Sequence, residues 1–297
     1  MSEPSLPAAT PPAPEACPPP LAWQEVLHGV EEQGEAFHFA FGPIELDGVI
    51  LGQGPPIWFL NGFSGNRQLF SLLAWLLRDR FRCVLVDATW PGDTHPRSLQ
   101  PLLSQTYVAA FESLKTPRPA LFGTAFGAQT ALAITNQSPN AIRAAVLHEG
   151  FFRRNASLTE RLLAWGASRS NKRLAEFPNW SQLQEANHRR WFPPIDPSRW
   201  DFLLENLGAT PARRWSSMAR SAATTHNLKS RSHDIQTPVQ LIRTEGDGPV
   251  ATTAMNELMV QLPNVREETL HTSGHFAFLT HPHRVAKIVA GFLAGAP

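Results

Sequence analysis

The sequence predicts an α/β protein, with a mostly parallel sheet, helices on both faces and one inserted helical cap. Three observations predict it. Short, continuously apolar β-type runs alternate with helical runs along most of the chain, as strands buried on both faces do. That alternation stops over residues 151–232, where short helical stretches are separated by "FPNW", "FPPIDP" and "ATPARR" without an apolar strand run. Finally, "LFGTAFGAQTAL" (121–132) sets a β-type run, a Gly-x-x-x-Gly turn and an alanine-rich helix end to end.

Taken in order, the strands are "PIWFL" (56–60), "CVLVD" (83–87), "PALF" (119–122), "AAVLH" (144–148), "PVQLI" (238–242) and "REETL" (266–270). Between them the pattern predicts helices over 68–79, 102–114, 126–137 and 252–262, and a last one over 284–293. The domain reading is therefore a core of 23–150 plus 233–297, with the cap at 151–232. Residues 1–22 are expected to form a disordered proline-rich tail. Eight of the first twenty residues are proline, a composition that cannot bury enough apolar surface to order itself. A partner that reads proline-rich segments is one use for it.

The chain has 297 residues, a net charge of +1 and 42% hydrophobic residues, which suits one ordinary globular domain with an insertion. Two cysteines build no disulfide framework, there is no signal-peptide pattern, and no apolar run is long enough for a membrane span. A cytoplasmic location is expected. Charge is unevenly placed: the cap carries 14 Lys and Arg against 6 Asp and Glu, and five of the nine tryptophans. Solvated arginines and core-packing tryptophans explain this simply; the sharper reading is a pocket roof for an anionic or acyl molecule. Near-neutral overall charge and the lack of a reading motif argue against nucleic acid.

The turn at 123–127 is where a nucleophile would stand. Strand, turn and helix pass close together there, so small flanking residues are needed, and Gly123, Gly127 and Ala128 supply them. Asp247 follows one late strand and His275 the next, giving the chain order nucleophile, acid, base. With these residues in place the chain resembles the α/β-hydrolase superfamily over about residues 35–295. "PPIWFLNGFSGNRQLF" is similar to the segment that usually reads His-Gly-x-x-Gly, with Asn61 in place of the histidine. "VLVDATWPGDT" resembles the family's Asp-x-x-Gly-x-Gly-x-Ser segment, and "SGHFAFLTHPHRVAKIVAGFL" its ending.

The resemblance implies a catalytic set of Ala125 at the nucleophile position, Asp247 as acid and His275 as base, with the backbone amides of Phe63 and Phe126 as oxyanion hole. Ala125 is the departure that matters, because a methyl group attacks nothing. Either serine chemistry has been abandoned, or a serine native to position 125 has been replaced, or the elbow lies elsewhere. Thr124, Ser64 and Cys83 are poor substitutes by position. Glu149, at the end of the strand before the cap, is the reserve acid. His271, His281 and His283 cluster near the last helix without ligand partners, so no metal and no cofactor are expected. The functional classes left open are a pseudo-hydrolase or His–Asp general-base catalyst, a serine ester or thioester hydrolase if position 125 is natively serine, and a ligand- or partner-binding scaffold. The expected partner is a small molecule of anionic or acyl character.

Overall fold

The computed structural model describes residues 21–192, 196–224 and 227–296. The predicted tail lies outside these residues up to position 20. Leu21, which the sequence assigns to the tail, is already tied down, its carbonyl accepting from Arg199 Nη2 at 2.7 Å.

The sheet has eight strands: β1 (Glu35–Phe41), β2 (Ile44–Leu51), β3 (Pro56–Leu60), β4 (Arg82–Thr89), β5 (Ala120–Thr124), β6 (Ala144–His148), β7 (Val239–Thr244) and β8 (Val265–Leu270). Their spatial order is β1-β2-β4-β3-β5-β6-β7-β8. From β4 to β8 every pairing is parallel, while β2 runs antiparallel to both β1 and β4. The hairpin of β1 and β2 is an element that the strand pattern above does not name. Its outer strand has no continuous apolar run, and its burial is mostly exposed. The central strands behave as their sequences require: every residue of β5 and of β6 is buried.

Helices α1 (Trp23–Gln33), α2 (Ser71–Leu77), α3 (Pro96–Ser113) and α4 (Phe126–Gln137) belong to the first half of the core. The stretch between β6 and β7 holds α5 (Leu158–Ala167), α6 (Trp180–His188), α7 (Ser198–Gly208), α8 (Ala212–Thr224) and α9 (Asn227–Ser230). After β7 come α10 (Pro249–Gln261), α11 (Ala277–Thr280) and α12 (Pro282–Ala294). No sheet strand occurs in the insertion among the described residues.

Two apolar layers flank the sheet. One joins Trp58, Val84, Leu121 and Leu147 to α3, α4 and α10; the other joins Ile57, Phe59, Phe122 and Val146 to α2 and α12. The late helices of the insertion enter these layers. Trp200, Leu203 and Leu207 of α7 pack with the second, and Met218 and Ala222 of α8 with the first. By contrast α5 leaves Leu158, Leu162, Leu163 and Trp165 exposed. No helix among the described residues is long and apolar enough to cross a membrane.

Candidate active site

The carboxyl ends of β3, β5, β6, β7 and β8 converge on one cavity, the usual place for a site in an open parallel sheet. At its floor is the turn from β5 into α4. Ala125 sits there with φ 47° and ψ −107°, a conformation that costs a non-glycine residue about 1–3 kcal/mol. The turn is as tight as the sequence implies. A Cβ on Gly123 would lie 2.5 Å from the Gly127 carbonyl oxygen, and one on Gly127 would lie 2.1 Å from that of Leu60. The Ala125 amide donates to the His148 carbonyl at 3.0 Å, which ties the elbow to the end of β6.

The next residue after β6 is Glu149, also at positive φ (50°). Strain at two residues that line the same cavity is the kind that surrounding structure maintains at functional sites. His275 follows β8 and lies over Glu149: its Nδ1 is against Glu149 Oε2. The order of residues along the chain put Asp247 in that position. Instead Asp247 hydrogen bonds to Glu149 and accepts from Thr244, through the backbone amide at 3.0 Å and the hydroxyl. Both acids named from sequence are therefore present, in series: His275, Glu149, Asp247, Thr244.

Their ionisation follows from burial. Burial and the neighbouring Asp247 charge hold Glu149 well above the usual carboxyl range, which favours its protonated form. Burial pushes Asp247 the same way but is outweighed by the Glu149 hydrogen bond, His148 and the Thr244 donors, and its acidity is increased. Between the two, the proton is favoured on Glu149 and the negative charge on Asp247. Burial lowers His275 to about 4 against the pull of Asp247, leaving the imidazole neutral at pH 7. Its side chain stays 30% accessible, whereas Glu149 is only 10% accessible.

Three further residues brace this group: His148, which the sequence places beside Glu149 at the strand end, and two that it does not single out. His148 is buried, accepts or donates at Nδ1 with Thr124 Oγ1 (3.1 Å), and is lowered to about 4 by burial. His188, the last residue of α6, brings its ring to 5.5 Å from that of His275 and is lowered to about 3 by burial and that neighbour. Trp191 lies flat against the acid and base loops. A Cβ on Gly246 or on Gly274 would come within 2.5 Å of its indole. Only tertiary packing reveals these approaches; the one local signal was "LHEG", a charged pair ending a fully buried strand.

The loop after β3, where the sequence places one of the expected oxyanion amides, is equally fixed. Asn61 donates to Asp87 at 2.9 Å, Arg67 pairs with Asp87 at 3.0 Å, and the Gly65 amide donates to Thr210 of the insertion at 2.9 Å. Asn61 thus has a structural task of its own at the position where the family usually has histidine. Neither the Phe63 nor the Phe126 amide has an acceptor among the described hydrogen bonds, and the two rings stand 5.7 Å apart. Two of the substitute nucleophiles are held away from the cavity. Thr124 is buried and engaged with His148, and Cys83 is buried inside β4, where burial pushes its thiol far up. Among the described residues no three His, Cys, Asp or Glu side chains are grouped to hold a metal; His271, His281 and His283 are included in that statement.

Ala125, Phe63, Glu149, His275 and Arg154 line a cavity of about 530 Å³. Strand order, elbow and base loop together define a hydrolase-type α/β site. The family comparison agrees: the model of the Alpha/beta hydrolase family matches residues 54–288, and the chain belongs to that family. A pimeloyl-[acyl-carrier protein] methyl ester esterase of Methylococcus capsulatus is 24% identical over 258 residues, covering 82% of this chain and 97% of that protein. Among solved structures, an esterase from Thermogutta terrifontis superposes with a TM-score of 0.75 at 15% identity, over 88% of this chain and 98% of that one. An enol-lactonase from Burkholderia xenovorans gives 0.71 at 18% identity, over 87% and 100%. These structural likenesses concern the fold.

Proposed function

We propose that this chain acts on a small acyl or ester-type molecule by general-base catalysis, without a covalent acyl-enzyme. The observation that carries the reading is Ala125: it occupies the strained elbow position and lines an open cavity with His275 and Glu149. The cavity is not filled by aromatic side chains, which favours chemistry over a scaffold role. Esterase relatives support the substrate class.

The step follows from the groups present. Glu149 accepts from His275 Nδ1 and fixes the tautomer with Nε2 unprotonated. Nε2 takes a proton from water as the water oxygen bonds to the acyl carbon, and the carbonyl electron pair moves to an oxygen held by the Phe63 and Phe126 amides. When the intermediate collapses, the leaving oxygen takes the proton back from His275.

The retained elbow favours a second reading, in which position 125 is natively serine and the chain is a serine esterase. Turnover of short acyl esters and thioesters by the unaltered chain separates the readings. Base catalysis predicts slow turnover with no burst phase, abolished in His275→Ala. Unchanged turnover in that variant contradicts it by placing the base elsewhere, and no turnover in the unaltered chain contradicts it and leaves the native-serine and ligand-binding readings.

A further inference from the structure

A second cavity, of about 550 Å³, adjoins the first and shares Phe63, Arg154 and Glu160 with it. Its walls come from the start of α3, from α5 and from α8. Arg97, Arg161 and Arg220 line it, are exposed, and have no carboxylate partner among the described residues. The only carboxylate in its lining, Glu160, is already taken. It accepts from Arg154 Nη2 at 2.5 Å and from the Ser157 amide at 2.8 Å. Three positive charges therefore face this space uncompensated, and the N-terminal end of the 18-residue helix α3 adds to the field.

The same walls are apolar between the charges. Trp165 stands one helical turn beyond Arg161 on α5, and Trp215 and Ala219 contribute from α8. Phe63 forms the threshold between the cavities, with the Arg154 guanidinium 5.2 Å from its ring centre. An apolar stem laid past Phe63 would put a terminal oxyanion among the three free guanidiniums, the groups best shaped for carboxylate or phosphate.

We infer that this second cavity is a subsite for the anionic end of the substrate: the molecule is an ester or thioester that carries a carboxylate or phosphate at the far end of an apolar stem. The inference rests on the acyl-type reading of the first cavity and names its substrate class. Carboxylate would place the charge on the acyl part, phosphate on the leaving part.

Calorimetric titration of the unaltered chain with monomethyl suberate, octyl phosphate and the neutral dimethyl suberate tests it. At least one anion is expected to bind about tenfold tighter than the diester. A preference for monomethyl suberate alone assigns the charge to the acyl part, for octyl phosphate alone to the leaving part, and for both to either. In Arg97→Gln/Arg161→Gln/Arg220→Gln the preference should fall to within about twofold, with each single exposed change removing part of it. Equal binding of anion and diester, no binding of either anion, or a preference that survives the triple change overturns the inference. If the triple variant does not melt like the parent, the single variants decide by the same criterion. His275→Ala is titrated alongside. An anion preference that persists there, with no turnover by the unaltered chain, supports the subsite and refutes the base reading, whereas turnover by the unaltered chain without charge preference refutes the subsite alone.

Discussion

The elbow after β5 and the loops after β6, β7 and β8 face the same cavity, yet they have been treated very differently. The elbow keeps its costly backbone, its close-packed glycines and its tie to His148, but presents only a methyl group. The acid–base side is richer than one histidine and one acid. It has two carboxyls in series, two further neutral histidines and a tryptophan laid against both loops. The difference lies in what each side presents: the elbow offers a methyl group at a strained position, while the loops around it bring an imidazole and two carboxyls to the same cavity.

Restoring the hydroxyl should break that contrast most strongly. Ala125→Ser is expected to raise turnover of short acyl esters by about a thousandfold or more over the unaltered chain, since removing a triad serine costs on the order of 10⁶. Steady-state kinetics read this directly. An increase of less than about tenfold would mean that the surrounding geometry has drifted, because catalysis tolerates roughly 1 Å of misplacement poorly.

The next effect sharpens the acid–base side. In the Ala125→Ser background, Glu149→Ala should lower kcat about a hundredfold, as no acceptor then faces His275 Nδ1 to fix its tautomer. Asp247→Asn acts one residue further away and should cost about tenfold. The reverse ranking would restore Asp247 as the direct partner of His275.

Acid should act on His148 late. It is lowered from 6.5 to about 4, so the unfolded chain binds a proton that the folded chain refuses. The contribution of this group to stability therefore falls as pH drops from about 6.5 towards 4, by about 2 kcal/mol at about pH 5, with His188 and His275 acting in the same direction and the raised Glu149 in the opposite one. The imidazole signals of His148 followed by NMR from pH 7 to pH 4 measure it, and a midpoint near 6.5 would show that His148 titrates normally. The smallest expected effect is at the elbow backbone: Ala125→Gly should gain about 1 kcal/mol by relieving the positive φ. A loss of stability would mean that burial of the methyl outweighs the strain.

Much of this architecture was legible because it is written locally. The elbow, the strand runs and the positions of Asp247 and His275 at strand ends depend on short patterns, and the helical insertion shows as their interruption. The β1–β2 hairpin was not legible, since Glu35–Phe41 is an exposed edge strand without an apolar run. Nor could spacing tell which acid touches His275. That depends on the positive φ at Glu149, which swings its carboxyl between His275 and Asp247. The insertion shows the same limit. Its first helix, α5, exposes Leu162 and Leu163 while α7 and α8 join the core, although each of the three carries a tryptophan.

The central claim, that this chain works without a covalent intermediate at the elbow, is tested most directly by intact-mass spectrometry after treatment with a fluorophosphonate. The unaltered chain should show no added mass, because no base can activate a methyl group. Ala125→Ser should gain one phosphonyl group, and Ala125→Ser/His275→Ala should lose that gain. An adduct on the unaltered chain would contradict the account, because it would place a working nucleophile somewhere other than position 125.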